Sequence, residues 1–176
     1  HSSPLDIAIL TALFQGRFVA QIEIVNWPVI GFATATARAV FVDRGNPRSG
    51  ALAIAGIREA LGKDRDTVAL FPESVASQGD KVLEFHKGGF LAAKGQDVDV
   101  VPIGIAYTPG TEWDEESFAE HLIRVAVRPS LTVAVRVGAA YKMQDAPSEE
   151  AKKARQKVQL LTLQAREALN EAQKTR

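Results

Sequence analysis

Residues 39–73 read AVFVDRGNPRSGALAIAGIREALGKDRDTVALFPE and predict a strand, a helix and a second strand in succession. The runs Ala39–Val42 and Thr67–Phe71 are short and apolar, with β-branched and aromatic residues typical of buried strands. Between them, Ser49–Leu61 predicts a helix whose first residue is a suitable N-cap, and Gly62 follows in the usual C-terminal position. This succession is typical of an α/β fold.

The same alternation continues on both sides of this stretch, so the whole chain predicts a mostly parallel or mixed central sheet flanked by helices. The further predicted elements are a helix over Pro4–Phe14 stopped by Gly16, a strand over Phe18–Gln21, a helical piece over Pro28–Ala37, a strand over Asp99–Tyr107 interrupted by Pro102, and a C-terminal helix from Ser148.

The chain divides into residues 1–144, which carry the α/β pattern, and residues 145–176, a helical extension that we expect to pack on the same domain. The full chain of 176 residues has a length that suits one compact domain. The C-terminal helix is amphipathic, and its apolar residues recur three and four apart at Ala151, Ala154, Val158, Leu161, Ala165, Ala168 and Ala172.

Composition excludes several classes of function. The charges of the 21 basic and 21 acidic side chains cancel, so the chain has no net positive charge that would attract it to nucleic acid. The sequence has no cysteine, which excludes a thiol nucleophile, a disulfide framework and cysteine zinc sites. The longest nearly uncharged stretch, Ile24–Ala37, falls short of the roughly 20 residues that span a bilayer as a helix.

The segment His1-Ser2-Ser3-Pro4-Leu5-Asp6 supports two interpretations. In the first, Ser3 is the N-cap, Pro4 occupies the first helical position, and Asp6 completes a capping box. In the second, the Asp6 carboxylate reaches the ring of His1, fixes its tautomer and supports the imidazolium that forms when His1 acts as general base.

Three more blocks follow in order: Phe41-Val42-Asp43-Arg44, Phe71-Pro72-Glu73 and Val101-Pro102-Ile103. The first two of them stand at the ends of predicted strands. Loops that leave the carboxyl edge of a sheet converge on a ligand. Arg44 offers a planar fork of donors that suits a phosphate, although an ion pair with a carboxylate is the alternative.

Together, the four blocks resemble the signature of the glycerolipid acyltransferases, the family of 1-acylglycerol-3-phosphate acyltransferases. The resemblance implies a glycerol-3-phosphate acyltransferase-like fold and transfer of a fatty acyl group to the hydroxyl of a lysophospholipid. It also implies the role of each site residue: catalysis by His1 and Asp6, acceptor binding by Arg44, Glu73, Ser74 and Lys87, and a place for Pro102 on the acyl-donor side. A solvated loop lysine is the alternative for Lys87.

Two departures from the family pattern leave the acceptor open. Ser74 stands where the family has a glycine, and Ala20-Gln21-Ile22-Glu23 lacks the lysine usual beside the glutamate. The loss of a cation leaves room for a lyso-aminolipid as acceptor. The sequence is also compatible with a non-catalytic lipid-binding domain and with a hydrolase that uses Ser74 as nucleophile, although the G-x-S-x-G elbow is lacking.

The resemblance implies a co-substrate, acyl-CoA or acyl-carrier protein, and no bound cofactor. We expect no metal, because His86 and His121 have no spaced ligand partners and are assigned surface or packing roles. The partners implied are a lysophospholipid, an acyl thioester and a membrane surface, with the protein associated with the cytoplasmic face. In the family a strand and a membrane-associating segment precede the histidine, and this sequence does not contain them.

Overall fold

A computed structural model describes residues 2–14, 16–22, 39–43, 46, 48–64, 66–76, 80–113 and 116–174. Its helices are α1 (Leu5–Leu13), α2 (Ser49–Gly62), α3 (Gly88–Ala93), α4 (Phe118–Ala126) and α5 (Pro147–Lys174). Its strands are β1 (Arg17–Gln21), β2 (Val40–Val42), β3 (Val68–Ala69), β4 (Ile103–Tyr107) and β5 (Val133–Val137). The helical piece predicted over Pro28–Ala37 lies outside the described residues.

The strands form a parallel sheet and an antiparallel pair. Parallel β1 lies between β2 and β3, with Ala20 opposite Phe41 and Phe18 opposite Ala69. Strand β4 pairs with antiparallel β5, and Ile105 lies opposite Val135. The predicted α/β fold, with a mostly parallel or mixed sheet flanked by helices, is therefore confirmed. The predicted strand over residues 67–71 is shorter than expected, since only Val68 and Ala69 pair.

Helix α1 packs against both groups of strands. Its buried Ile7 and Leu10 join Phe18 of β1 in one core cluster. Ala69 of β3 and Ile103 and Ile105 of β4 pack against this cluster, as does Phe71 in the loop after β3. Because burial of this apolar surface fixes the helix across the strands, α1 holds the predicted catalytic segment at a defined place in the fold.

Helix α5 packs closely against β4. A side chain at Gly104 would lie 2.3 Å from the backbone nitrogen of Thr162, so glycine is required for this approach. The predicted apolar stripe is partly correct, because Ala151, Ala154 and Ala165 are buried. Other positions of the predicted stripe are wrong: Thr162 and Leu169 share the buried face with Ala165, while Leu161 and Ala168 are only half-buried and Ala172 is exposed. Contact with the strands, and not apolarity alone, decides which face is covered.

Arg166 anchors the C-terminal half of α5. Its guanidinium binds both carboxylate oxygens of Asp80 at 2.8–3.0 Å and donates to the main-chain oxygen of Tyr107 at the end of β4. These hydrogen bonds from one planar guanidinium connect α5 to Asp80 and to the end of β4.

Among the described residues, no helix combines the length and the apolar character needed to cross a membrane.

Candidate active site

The Asp6 side chain turns back from the first turn of α1 toward the loop before it. Its Oδ2 accepts the backbone N–H of Ser2 at 3.0 Å and, more weakly, that of Ser3 at 3.4 Å. The capping interpretation is thus half correct. The Asp6 carboxylate accepts the N–H of Ser3, as a capping box requires. However, the helix begins at Leu5, and the Ser3 hydroxyl accepts the N–H of Leu5 and not that of Asp6. The second interpretation concerns His1, which lies outside the described residues.

A second donor reaches Asp6 from the end of β4. The hydroxyl of Tyr107 donates a hydrogen bond to Asp6 Oδ1. Both side chains are almost fully buried, with exposures of 1% each. The carboxylate is therefore held between backbone N–H groups on one side and a phenol on the other, and charge-assisted bonds of this kind fix its orientation.

Burial dominates the electrostatics of this pair. Loss of hydration raises the pKa of the Asp6 carboxyl above its ordinary value, while the bonds from Tyr107, Ser2 and Ser3 oppose the rise. Burial and the Asp6 charge also raise the pKa of Tyr107, so the phenol keeps its proton and remains a donor. Sequence patterns did not reveal Tyr107, because 101 residues separate it from Asp6.

The end of β2 forms a turn that leads into α2. The predicted N-cap role of Ser49 is wrong, since Arg48 occupies that position and Ser49 is the first helical residue. The Ser49 hydroxyl instead accepts the backbone N–H of Asp43 at 2.6 Å. This bond holds the strand end that leads to Arg44, which itself lies outside the described residues. The assignment of Arg44 as acceptor ligand stays a prediction.

The Phe71-Pro72-Glu73 block forms a loop with an unusual backbone conformation. Ser74 has a φ of +62°, the left-handed region that glycine adopts without steric cost. Its carbonyl accepts a hydrogen bond at 3.2 Å from the Gln21 amide at the end of β1. The loop thus adopts at Ser74 a backbone conformation that favours glycine, the residue of the family pattern. Gln21, which contacts this loop, belongs to the segment that lacks the family's lysine.

This conformation has a measurable cost. We expect Ser74→Gly to raise the free energy of unfolding by about 0.5–1 kcal/mol, because relief of left-handed strain exceeds the entropy that glycine adds to the unfolded chain. Chemical denaturation followed by circular dichroism measures this change. Ala55→Gly, on the exposed face of α2, is the matched control and should lower stability by about 0.5–1 kcal/mol. A Ser74→Gly protein no more stable than the wild type would contradict the strain.

Glu73 is buried beside this turn. Its Oε2 accepts the backbone N–H of Leu83 at 2.7 Å, which ties the loop to the stretch before α3. A second tie joins the N–H of His86 to the oxygen of Pro72 at 2.8 Å. Lys87 directly follows this tie, with an exposed side chain. The segment that contains Lys87 therefore lies beside the Phe71-Pro72-Glu73 loop. Contact between Lys87 and an acceptor stays a prediction.

Pro102 lies directly before β4, where it ends the backbone pairing of the preceding residues. Val100 forms an isolated bridge to Tyr141, and regular pairing begins at Ile103. The Pro102 carbonyl accepts the N–H of Gly138 at 2.9 Å. The predicted interruption of the strand at Pro102 is confirmed.

Three of the four blocks line one cavity of about 610 Å³, called here the central cavity, while the described residues of the Asp43 block are not among its lining residues. Asp6 and Ser2 line it, as do Glu73 and Pro102. The remaining wall is largely apolar and includes Leu10, Phe14, Phe71, Val82, Phe85, Phe90, Ile103, Ile105 and Val158. A cavity of this size with a few polar groups on an apolar wall is typical of small-molecule sites. The structure thus brings Asp6, Glu73 and Pro102 together; Lys87 and Ser74 are not among the lining residues.

Comparison with known proteins identifies the class. Residues 1–106 match the family model described as Acyltransferase. Because this match covers more than half of the chain, the chain belongs to the acyltransferase family. It is 35% identical over 115 residues to the lyso-ornithine lipid O-acyltransferase of Brucella abortus (strain 2308), covering 61% of this chain and 43% of that protein.

A second relative agrees with this class, and a solved structure has a similar fold. The chain is 31% identical over 107 residues to the 1-acyl-sn-glycerol-3-phosphate acyltransferase of Neisseria gonorrhoeae, covering 61% of this chain and 42% of that protein. The crystal structure of the 1-acyl-sn-glycerophosphate (LPA) acyltransferase PlsC from Thermotoga maritima has a similar fold, with a TM-score of 0.63 and 23% identity over 93% of this chain and 63% of that one. The chain spans less than half the length of these curated relatives.

Proposed function

We propose that this protein transfers a fatty acyl group from an acyl thioester to the hydroxyl of a lysophospholipid such as 1-acylglycerol-3-phosphate. The observation that carries the proposal is the buried Asp6 carboxylate, which Tyr107 and backbone N–H groups hold at the wall of an apolar cavity. A structural carboxylate needs no cavity beside it, whereas a group that serves a reaction does. Membership of the acyltransferase family gives the chemistry.

In this mechanism His1 is the general base. The N–H of Ser2, the residue that follows His1 in the sequence, donates to Asp6, and this contact supports the pairing of the carboxylate with the histidine. Asp6 would orient the imidazole and support its charge as it takes the proton of the lysolipid hydroxyl. The hydroxyl oxygen attacks the thioester carbonyl, the carbon–sulfur bond breaks, and the proton leaves with the thiol of coenzyme A or acyl-carrier protein.

The polar and apolar parts of the cavity suit the two substrates. We assign the apolar wall beside Pro102 to the acyl chain of the donor, because its Phe and Ile side chains match a hydrocarbon. The acceptor headgroup lies toward Glu73 and Ser74, with Arg44 and Lys87 as its cationic contacts. A membrane surface, on its cytoplasmic face, supplies the lysolipid.

A lyso-aminolipid is the second candidate acceptor, and one contact favours it. The neutral Gln21 amide, bonded to the carbonyl of Ser74, belongs to the segment Ala20-Gln21-Ile22-Glu23, which lacks the lysine that would add a cation near the headgroup. Fewer cations favour an acceptor with less negative charge than a phosphate monoester. Some relatives carry the name lyso-ornithine lipid O-acyltransferase and others the name 1-acyl-sn-glycerol-3-phosphate acyltransferase.

Competition between acceptors tests the proposal. The full-length protein is given a long-chain acyl thioester and equal amounts of 1-acylglycerol-3-phosphate and lyso-ornithine lipid in mixed micelles, and mass spectrometry identifies the products. Phosphatidic acid as main product supports the first acceptor, and diacylated ornithine lipid the second. Free fatty acid alone would favour a hydrolase, and bound lipid without turnover would favour a binding domain.

Tyr107→Phe tests the bond that fixes Asp6. We expect roughly a tenfold fall in transfer rate, because the variant loses a charge-assisted hydrogen bond of about 1.5–3 kcal/mol, only part of which affects the transition state. The Tyr107 bond also lowers the pKa of Asp6. Its loss raises that pKa further, so the acidic limb of the pH–rate profile should move to higher pH.

The control is Tyr141→Phe. Among the described residues the buried Tyr141 hydroxyl has no hydrogen-bond partner, so its removal should leave the rate and the pH profile unchanged. Equal rates and overlapping pH profiles for the Tyr107→Phe and wild-type proteins would contradict a role of the phenol in holding Asp6.

A further inference from the structure

A buried chain of polar side chains joins the loop before α1 to helix α4. The Ser3 hydroxyl lies 3.0 Å from His121 Nε2, and His121 Nδ1 lies 2.8 Å from Glu116 Oε1. Ser3 is fully buried and His121 is 1% exposed. In the neutral imidazole, the Glu116 carboxylate accepts the Nδ1 hydrogen, and Nε2 then accepts the hydrogen of the Ser3 hydroxyl.

Helix α4 holds this imidazole rigidly. A capping box between Ser117 and Glu120 fixes the start of the helix one turn before His121. Arg124 binds Glu116 with its Nε at 3.0 Å and the main-chain oxygen of Glu112 with its Nη2 at 2.8 Å. The indole of Trp113 stacks on the imidazole, with ring centroids 5.2 Å apart.

Trp113, which stacks on His121, also binds Ser2, the residue before Ser3. The backbone N–H of Trp113 donates to the oxygen of Ser2 at 2.7 Å. Ser2 and Ser3 in turn donate their own N–H groups to Asp6. Ser2 and Ser3, the two residues that follow His1, are therefore bound by Asp6 and also by Trp113 and His121. Both of these latter residues lie beyond residues 1–106, which match the family model.

The order serine, histidine, carboxylate is also that of a hydrolase triad. Two observations oppose a nucleophilic role for Ser3. Its side chain is fully buried, and its oxygen accepts the N–H of Leu5 at 3.3 Å, so it does not face an open site. The sequence-based assignment of His121 to a surface or packing role is also incomplete, because the ring is buried and bonded at both nitrogens.

We infer that His121, oriented by Glu116, is a positioning residue that holds Ser3 and thereby the loop between His1 and Asp6. The inference rests on the proposed acyl transfer. A displacement of about 1 Å in a catalytic group can cost roughly a hundredfold in rate. The residue that fixes this loop therefore affects turnover more than substrate binding.

Two amide variants separate this role from simple packing. A glutamine amide reaches about as far as Nε2 of histidine and keeps the contact with Ser3, whereas an asparagine amide reaches about as far as Nδ1 and keeps only the contact with Glu116. In the full-length protein we expect His121→Asn to lower kcat about tenfold to a hundredfold with KM nearly unchanged. His121→Gln should retain kcat within about threefold, with similar melting temperatures for the two variants.

Ser3→Ala provides a second, independent variant that leaves α4 unchanged. It should lower kcat about as much as His121→Asn, and the double variant should be no slower than either single variant, because all three lose the same contact. Equal losses in His121→Gln and His121→Asn, or multiplicative losses in the double variant, would overturn the inference. Labelling of Ser3 by a fluorophosphonate would overturn it too, since Ser3 would then be a nucleophile.

The wild-type protein in the same assay separates the two claims. If it forms no acyl product, the proposed function fails and this inference fails with it. If it is active and His121→Asn is equally active, only the inference fails.

Discussion

Replacing Asp6 with asparagine is expected to lower acyl transfer by at least roughly a hundredfold while the protein remains folded. The amide oxygen can still accept the N–H groups of Ser2 and Ser3, and the Tyr107 hydroxyl can rotate to accept from the amide nitrogen. What the variant loses is the negative charge that supports a developing imidazolium. The effect should therefore appear in kcat.

The same substitution should stabilise the fold at neutral pH. Burial raises the pKa of the Asp6 carboxyl above its ordinary value of 3.8, so the folded state binds the proton more tightly than the unfolded state. The stability from this group is fully present below pH 3.8 and is lost as the pH rises through the folded-state pKa. The gain in free energy of unfolding for Asp6→Asn should therefore grow with pH over this window and then become constant.

Urea denaturation at a series of pH values, together with steady-state kinetics, measures both effects of Asp6→Asn. Asp97→Asn is the matched control, because the Asp97 side chain is 98% exposed and a surface carboxylate of this kind contributes little. An Asp6→Asn protein that keeps wild-type kcat, or a stability difference that shrinks as the pH rises, would contradict the proposed state of this carboxylate.

Replacing His1 with alanine is expected to lower acyl transfer by at least roughly a hundredfold, the part of the rate that general-base catalysis supplies. In the double variant with Asp6→Asn the two losses should not multiply, because the carboxylate acts through the imidazole. Binding of the lysolipid should change little, since the imidazole acts on the hydroxyl proton and not on the headgroup.

The matched control for His1 is His86→Ala. His86 is exposed and bonds to Pro72 through its backbone N–H, which the substitution keeps. We expect wild-type rates for this variant. A His1→Ala protein as active as the His86→Ala protein would show that another group takes the proton.

Local patterns predicted the fold where packing follows them. The strand, helix and strand between residues 39 and 73 appear in the structure, and Pro102 interrupts its strand as the missing N–H requires. The errors arose where a side chain has two possible partners. Ser49 is a good N-cap by type, yet its hydroxyl bonds to Asp43 across the turn. The inner face of α5 departs from the apolar stripe because β4, with Gly104 at the contact, selects Thr162.

The site could be predicted only in part, for a physical reason. Asp6, Glu73 and Pro102 belong to short blocks, and the fold brings them to one cavity. Tyr107 and His121 bind the predicted catalytic segment, at Asp6 and Ser3, across 101 and 118 residues of sequence. Such contacts depend on how β4 and α4 pack beside α1, and no local spacing encodes them. Ser74 was recognised as a departure from the family, but its left-handed backbone became evident only in three dimensions.

The most direct test of the central claim is the stoichiometry of acyl transfer by the full-length protein. Release of thiol from a long-chain acyl thioester is followed alongside formation of diacyl lipid from the lysolipid, in the wild type and in the His1→Ala and Asp6→Asn variants. We predict one ester formed for each thiol released by the wild type, and a fall of at least roughly a hundredfold in both variants. Thiol release with free fatty acid as the only product, or undiminished transfer by the two variants, would contradict the account.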